Sequence, residues 1–394
     1  MSKIDELITD LCPDGVEFRE LSEVLDYEQP TKYIVSSTNY SNDHSMPVLT
    51  AGQTFILGYT NEEHGIYYSS PENPVIIFDD FTTSFHWVDF NFKVKSSAMK
   101  MIRPKNNALV DFRYIYFAMR CINYSPTDHA RHWISQYSKF TIPFPPIEIQ
   151  HAIVSILDSF TELEAELEAE LEARKKQYEF YRNQLLTFDE VEDVRWTTLG
   201  EITSDTFWIM PATPKFLEDG EVPYITSKNI KNGNIDFTKI KHISRNDYTT
   251  ISKNRPIIVD DILISMIGTI GEVARVKSND LDFYGQNMYL VRLNKDVIDV
   301  NYFLHFFDSK KMKAYFASIK NNSGQGYLKA GQIESIKLHL PPLNKQREIA
   351  GVLDNFDKLI NDISEGLPAE IKTRRKQYEY YRNKLLTFPE LAHA

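Results

Sequence analysis

RKKQYEFYRNQLLTF, residues 174–188, returns as RRKQYEYYRNKLLTF at residues 374–388, the two agreeing at 12 of 15 positions. Ahead of these tails, Pro146, Gln150, Leu157, Asp158, Phe160 and Leu163 recur as Pro342, Gln346, Leu353, Asp354, Phe356 and Leu359. The offset is 196 residues in the front half and 200 in the tails, so the second copy carries four extra residues in between. Self-similarity of this kind sets the architecture: one plan is laid down twice.

Within the first copy Ile153, Leu157, Phe160, Leu163, Leu167, Leu171, Tyr178, Tyr181, Leu185 and Phe188 fall mostly three or four apart. Ile349, Leu353, Phe356, Ile360, Ile363, Leu367, Ile371, Tyr378, Tyr381, Leu385 and Phe388 do the same in the second. This spacing predicts a helix with one apolar stripe. Each helix opens after a proline pair, Pro145-Pro146 or Pro341-Pro342, as helix starts do. At 1.5 Å per residue each is roughly 60 Å long. A single stripe on so long a helix needs a partner, and the other copy supplies one, packed as a coiled coil. Gly366 and Pro368 interrupt the second copy, where a kink or short break is expected.

The first copy holds three tetrads, residues 163–166, 167–170 and 171–174, each beginning Leu-Glu-Ala. Four residues make slightly more than one turn, so a tetrad adds about 6 Å of length and rotates the stripe by only about 40°. The tetrads adjust length. Glu162 to Glu172 is at the same time a solvated acidic face built from good helix formers.

A chain of 394 residues with 42% hydrophobic and 13% aromatic content can build two or three packed domains. Cys12 and Cys121 are its only cysteines, which fits a reducing compartment and no disulfide framework. No apolar run has the length of a membrane span and the opening MSKIDELITD is unlike a signal peptide, so a soluble, intracellular protein is expected. The net charge of −11 is unevenly spread: residues 1–92 carry 3 basic and 16 acidic side chains. Residues 93–140 carry 9 basic against Asp111 and Asp128, and residues 310–347 carry 8 basic against Glu334. Two basic stretches at equivalent places in an acidic protein suit a two-site phosphate binder, or equally two solvated helix faces.

Each half has its own lead-in. Val16 to Val24 is matched in type by Val194 to Ile202, at Phe18/Trp196, Leu21/Leu199, Glu23/Glu201 and Val24/Ile202. A variable region follows each, longer by 18 residues in the second half. In the first, a helix is expected at 4–11, strands at 47–50, 54–57, 65–68, 75–78 and 85–94, and a helix at 112–122. In the second, strands are expected at 223–226, 257–259, 262–266, 272–276 and 288–293, then a helix at 300–319. Both halves read as α+β domains with a mostly antiparallel or mixed sheet.

The search for chemistry comes back nearly empty. Asp79-Asp80 and Asp260-Asp261 are each expected to end an apolar strand, and paired carboxylates can hold a metal for phosphodiester hydrolysis. No third acid or lysine follows at a suitable spacing, and such pairs commonly make turns. Gly268-Thr-Ile-Gly271 is too short to cradle a phosphate and reads as a hairpin turn. The ten histidines are scattered without metal-ligand spacing.

Polar, aromatic-flanked loops remain as candidates for reading DNA. In the first domain they are Thr31-Lys32-Tyr33, Gly52-Gln53-Thr54, Thr82-Thr83-Ser84 and Arg131-His132-Trp133. In the second they are Ser227-Lys228-Asn229, Lys231-Asn232-Gly233-Asn234, Gln286-Asn287 and the stretch Gly324 to Lys329 with Gln325, Tyr327 and Lys329. Asn, Gln, Arg and Lys reach base edges, whereas Ser, Thr and backbone amides mostly position phosphates.

Two variable domains, each followed by a long helix with this repeated tail and with FPPIEIQHAIVSILD or LPPLNKQREIAGVLD leading in, resemble the specificity subunit of prokaryotic type I restriction-modification systems. The tetrads resemble the subgroup whose central spacer varies in four-residue units. The resemblance implies an α+β protein with a pseudo-twofold internal repeat: recognition domains at 1–147 and 189–343, and conserved spacer helices at 148–188 and 344–394. The two spacers would pack as an antiparallel coiled coil. It implies a non-catalytic, DNA-binding subunit of the prokaryotic cytoplasm that reads a split target. Two methylation subunits would dock on the spacers, where Tyr178, Tyr181, Arg182, Tyr378, Tyr381 and Arg382 are the candidate contacts. S-adenosylmethionine for adenine N6 methylation would then sit on those subunits, and ATP and Mg2+ on restriction subunits, with no metal or cofactor in this chain. The alternatives are a coiled-coil scaffold without a nucleic-acid role and a metal-dependent nuclease.

Overall fold

The computed structural model describes residues 3–52, 54–106, 108–188, 194–231, 233–280, 282–322, 327–362 and 364–391. In the first half Lys3–Leu11 forms α1, Glu17–Glu20 β1, Leu21–Val24 the single turn α2 and Leu25–Glu28 β2. Met46–Leu49 (β3), Ile56–Thr60 (β4), Val75–Asp79 (β5), Phe85–Val88 (β6), Lys93–Val94 (β7) and Met99–Pro104 (β8) follow. Phe112–Met119 (α3), His132–Ser135 (α4) and Thr141–Phe144 (β9) then lead into α5, Ile147–Leu185.

The second half opens with β10 (Arg195–Thr198), β11 (Thr203–Ile209), β12 (Val222–Thr226) and a small hairpin, β13 (Ile230–Lys231) with β14 (Asn234–Ile235). It continues with β15 (Lys241–Ile243), α6 (Arg245–Ser252), β16 (Ile262–Ser265), β17 (Val273–Arg275), β18 (Tyr284–Gln286) and β19 (Met288–Leu293). Helices α7 (Val300–Phe307), α8 (Lys310–Asn322) and α9 (Ala330–Glu334) precede β20 (Lys337–Leu340), α10 (Leu343–Asn361) and α11 (Leu367–Leu385).

The chain divides into two compact units, residues 1–167 with 371–394, and residues 168–370. Each unit therefore holds one globular part, one half of α5, and a helix contributed by the other copy of the repeat. The topology is the same in both. In the first unit β2-β8-β5-β6 form an antiparallel sheet and β4-β3-β7 a mixed one, β3 pairing antiparallel with β4 and parallel with β7. In the second unit β11-β19-β16-β17 and β15-β12-β18 repeat both arrangements, including the one parallel pairing of β12 with β18. The lead-ins pair with the strands before the long helices, β1 with β9 and β10 with β20.

The residues that recur through the repeat explain the junction between globular part and helix. Asp111 and Asp299 cap α3 and α7, each accepting hydrogen bonds from the second and third backbone N–H groups of its helix. The cap's own N–H donates to the side-chain oxygen of Gln150 (3.0 Å) or Gln346 (2.8 Å). The amide nitrogens of those glutamines donate to Pro145 O and Pro341 O, both at 2.8 Å. With 1% and 0% exposure, the two glutamines are buried latches whose every bond stands in for lost water. Tyr114 and Tyr302 add matching bonds to Pro143 O and His339 O.

In the first unit the beginning of α5 packs against α11. Phe160 stacks on Tyr381 and Glu164 pairs with Arg375, so one helix index rises as the other falls and the pair is antiparallel. Tyr378, Leu385, Leu386 and Phe388 complete a core with Leu21, Ile76, Phe117 and Leu157. Beyond α11 the chain lies along the N-terminal lead-in, with Val16 N–H donating to Pro389 O (2.9 Å) and Leu391 N–H to Val16 O (3.0 Å). Gly15 has φ +106°, and a Cβ there would sit 2.5 Å from Pro389 O, so only glycine serves. In the second unit the end of α5 packs against α10 through Tyr178 and Tyr181 on Phe356. Tyr178 there joins a core with Leu199, Phe303 and Leu353.

α5 is one helix of 39 residues, about 58 Å long, and the second spacer has the expected break, being two helices, Leu343–Asn361 and Leu367–Leu385. Gly366 closes that break: its N–H donates to Asp362 O, and a Cβ would meet Leu359 O and Lys358 O at 2.7 Å. Residues 65–68 and 257–259 are not strands; the first has only an isolated bridge at Tyr67, and Ile258 and Val259 lie exposed. The stretch 85–94 is two strands, and 300–319 is two helices. Asp260 and Asp261 precede β16 rather than closing a strand.

Candidate nucleic-acid interface

Four connections of the first domain meet at the ends of the parallel strands β3 and β7. They are the loop after β3, the β5–β6 turn, the β7–β8 link and the segment entering α4. Gly52 O lies 3.0 Å from His86 Nε2, on the strand after the turn. Asp80 binds two of the other connections at once: its N–H donates to Ala98 O (2.8 Å), its carbonyl accepts from His132 N–H (2.8 Å), and its Oδ1 accepts from Trp133 N–H (3.0 Å). Lys100 Nζ stands 3.2 Å from Asp80 Oδ2 with both side chains buried, so the charge at this hub is paired. Asp79 Oδ1 accepts from Phe81 and Thr82 N–H, which sets the turn and holds Thr83 at φ +57°. A cleft of about 380 Å3 opens here between Thr83, Ser84, His86, Arg120, Tyr124 and Tyr137.

The same four connections meet in the second domain. At the parallel ends Thr226 lies beside Gln286. Ser227 O, after β12, accepts from Thr269 Oγ1 of the β16–β17 turn (3.1 Å). Asn287, between β18 and β19, accepts from Met266 N–H (3.4 Å) and donates to Ile209 O (3.0 Å). Leu328 N–H donates to Met266 O (3.0 Å), Ile267 bridges to Tyr327, and Tyr327 packs on Trp208 at 5.3 Å. One local sequence differs completely from the other, yet the backbone brings equivalent loops to one edge in each domain.

Of the expected residues, Thr54, Thr82 and Arg131 are exposed on the first edge, and Lys228 and Lys329 on the second, with Gln286, Asn287 and Tyr327 half-buried beside them. Arg131, Lys228 and Lys329 make no ion pair among the described residues. Others are taken up by the fold. His132 and Trp133 are buried, Trp133 in the core beside Phe78 and Tyr137, and they offer no face to a base, whereas Thr83, though largely buried, lines the cleft. Asn229 is buried in a turn, accepting from Thr226 N–H and donating to Asp236 O. Lys32 and Tyr33 are engaged with Glu28, and Tyr33 with Tyr67 as well. Lys231 pairs with Asp236 and Asn234 accepts from Lys277, on the β13–β14 hairpin. Gln53, Asn232 and Gln325 lie outside the described residues. Residues missed by sequence reasoning are His86, Arg120 and Tyr124 in one domain and Thr213, Tyr224 and Thr269 in the other; no local pattern marks them.

The helix tails also differ from expectation. Tyr178 Oη lies 3.1 Å from His305 Nδ1, and Arg182, only 2% exposed, pairs with Asp308. Tyr378 is buried edge-on to Phe117, with Arg382 over its ring at 5.5 Å. Tyr178, Arg182 and Tyr378 are buried inside the chain and leave no surface for a partner, whereas Arg382 is half-exposed. Tyr181 and Tyr381 are partly exposed, and the residues facing outward are Phe180 and Tyr380, at 64% and 62% exposure.

The basic stretches are also partly internal: Lys93, Lys100 and Arg113 pair with Glu62, Asp80 and Asp158. The aspartate pairs serve turns and ion pairs, Asp260 with Arg275 and Lys295, and Asp261 with Arg292. Among the described residues no three His, Cys, Asp or Glu side chains gather as a metal site, and no helix is long and apolar enough to cross a membrane.

Two domains of one topology, each presenting four converging polar loops and each joined to a long repeated helix, define a protein built for two-part recognition. The pattern of the type I restriction modification DNA specificity domain matches residues 13–173 and again 189–373, and the chain belongs to that family. It is 41% identical to the type I restriction enzyme EcoR124I/EcoR124II specificity subunit of Escherichia coli, over 99% of this chain and 98% of that one. A putative type I specificity subunit of Mycoplasma pneumoniae is 35% identical over 63% of this chain and 72% of its own length. The fold is similar to the crystal structure of the type I restriction-modification S subunit from M. genitalium, with a TM-score of 0.57 at 17% identity, covering 94% of this chain and 96% of that one.

Proposed function

We propose that this chain is the DNA specificity subunit of a type I restriction-modification complex, without catalytic residues of its own, and that each domain reads one half of a split target. Residues 1–147 and 189–343 are the recognition domains, and 148–188 and 344–394 the spacers. The observation that carries this reading is the convergence of four equivalent loops at one edge in both domains, with unrelated residues on them. A shared frame with divergent loops suits two half-sites of different sequence. Arg131, Lys228 and Lys329 supply charge for the backbone, and side chains at the loop edges meet bases.

Two methylation subunits dock on the outward sides of the repeated tails, centred on Phe180 with Tyr181 and on Tyr380 with Tyr381. Exposed aromatic residues repeated in both copies suit one kind of partner bound twice. Those subunits bring S-adenosylmethionine and methylate adenine at N6 after flipping it out. Restriction subunits bring ATP and Mg2+. The work of the chain is cytoplasmic and consists in choosing where its partners act.

Methylation-sensitive sequencing of DNA from cells carrying this subunit with its methylation partner tests the reading. The expected result is one split motif, with two specified halves around an unspecified gap. A continuous motif, or none, would overturn it. Deleting Leu167 to Glu170 should narrow the gap by about one to two base pairs, since about 6 Å of helix spans about that many 3.4 Å steps, and leave both halves unchanged.

A further inference from the structure

Gln286 ends β18 on the edge of the second domain, beside Thr226. Its Oε1 accepts hydrogen bonds from Tyr224 Oη and Thr213 Oγ1, each at 3.3 Å. A carbonyl oxygen has two acceptor positions, so the two hydroxyls fill it. Tyr224 fixes which way the amide faces. It is buried, and burial, with Tyr284 nearby, pushes its phenol up to about 12, so it keeps its proton and has one to donate. Turning the amide over would make both hydroxyls accept from its N–H2 and would cost each the acceptor for its own hydrogen. The backbone is held as well, because Asn287 is bonded on one side to Ile209 and on the other to Met266. Among the described residues the Gln286 side-chain nitrogen makes no hydrogen bond.

Resting on the reading that this edge faces DNA, we propose that Gln286 is a specificity-determining residue that acts as a donor only, and that it selects guanine. In the major groove guanine presents two acceptors, N7 and O6, to match the two hydrogens of the amide, whereas cytosine presents a donor. The two-point contact of glutamine with adenine also needs a free Oε1, which Tyr224 and Thr213 deny. The hydroxyl pair thereby turns an ambiguous amide into a one-way reader.

The test is the methylated motif of the assembled complex, read by sequencing that detects N6-methyladenine. Gln286→Glu keeps an oxygen for Tyr224 and Thr213 but turns an acceptor outward. It should replace guanine by cytosine at one position of one half-site, with the other half and the gap unchanged. Tyr224→Phe adds no charge and frees Oε1, so adenine should be admitted at that same position and discrimination against it should fall by about tenfold. Arg131→Ala, in the first domain, must leave that position alone. The proposal is overturned if Gln286→Glu methylates the wild-type motif at the wild-type rate, or if it alters the half-site that Arg131→Ala alters. Should Gln286→Glu give no active complex, Tyr224→Phe decides, and unchanged discrimination there overturns the proposal. Failure of the underlying reading looks different: the wild-type motif itself would not be split.

Discussion

The two tails of the repeat, nearly identical in sequence, are received differently by the two domains. On the second domain Tyr178 meets His305, which lies 2.7 Å from Asp354, and Arg182 meets Asp308. On the first, Tyr378 meets the ring of Phe117. There the residue in the place of Asp308 is Arg120, which bonds Tyr116 and leaves Arg382 without an ion pair among the described residues. The difference teaches that the repeat encodes a helix and its docking position, while the receiving domain decides whether the contact is polar or apolar.

The sharpest way to break this comparison is to remove the arginines one at a time. Arg182→Ala removes a buried side chain and one of the two cations that meet half-exposed Asp308, the other being Lys313, and should cost about 2 kcal/mol, whereas Arg382→Ala should cost about 1 kcal/mol, mostly lost packing. Chemical denaturation of the purified chain measures both, and equal losses would defeat the distinction. By contrast the glutamine latches are alike in the two units. Gln150→Leu and Gln346→Leu should each cost about 2 kcal/mol through the N–H groups they leave unmet, and a large inequality would show that the junctions are not equivalent. Adding the missing acid sharpens the comparison further: Arg120→Asp should gain up to about 1 kcal/mol by pairing with Arg382.

The smallest effect is in acid. Burial disfavours the charge of Asp354, but hydrogen bonds from His305 and Asn301 outweigh it and hold the carboxyl below its usual range. A depressed value means stability that is fully present above the unfolded value of about 4 and is lost as pH falls through the folded one. Melting temperatures measured from pH 5 downward should therefore fall less steeply for Asp354→Asn than for the wild type.

How much of this was legible depended on range. The helices, their start at the proline pairs and the break near Gly366 were all readable, because three-and-four spacing and glycine or proline interruptions are local signals. Strand β8 was not. Its Lys100 reads as solvent-facing until Asp80, twenty residues earlier, is known to receive it. Trp133, in the stretch Arg131-His132-Trp133, reads as part of a DNA-reading loop, yet Asp80 fixes its backbone and Phe78 its ring. The converging loops were half legible: their polar composition marked them, but Tyr224 and Thr213 give Gln286 its direction through contacts 62 and 73 residues distant.

The lid that Pro389 to Leu391 forms over Gly15 and Val16 has a consequence for biosynthesis. The first domain's core lacks Tyr378, Leu385 and Phe388 until those residues have left the ribosome, after the whole of 168–370, which already hold every member of their own core. Domains fold as units during synthesis, usually N-terminal first. Here the half translated first is the half finished last, and for most of translation its apolar face waits for a closing segment that does not yet exist.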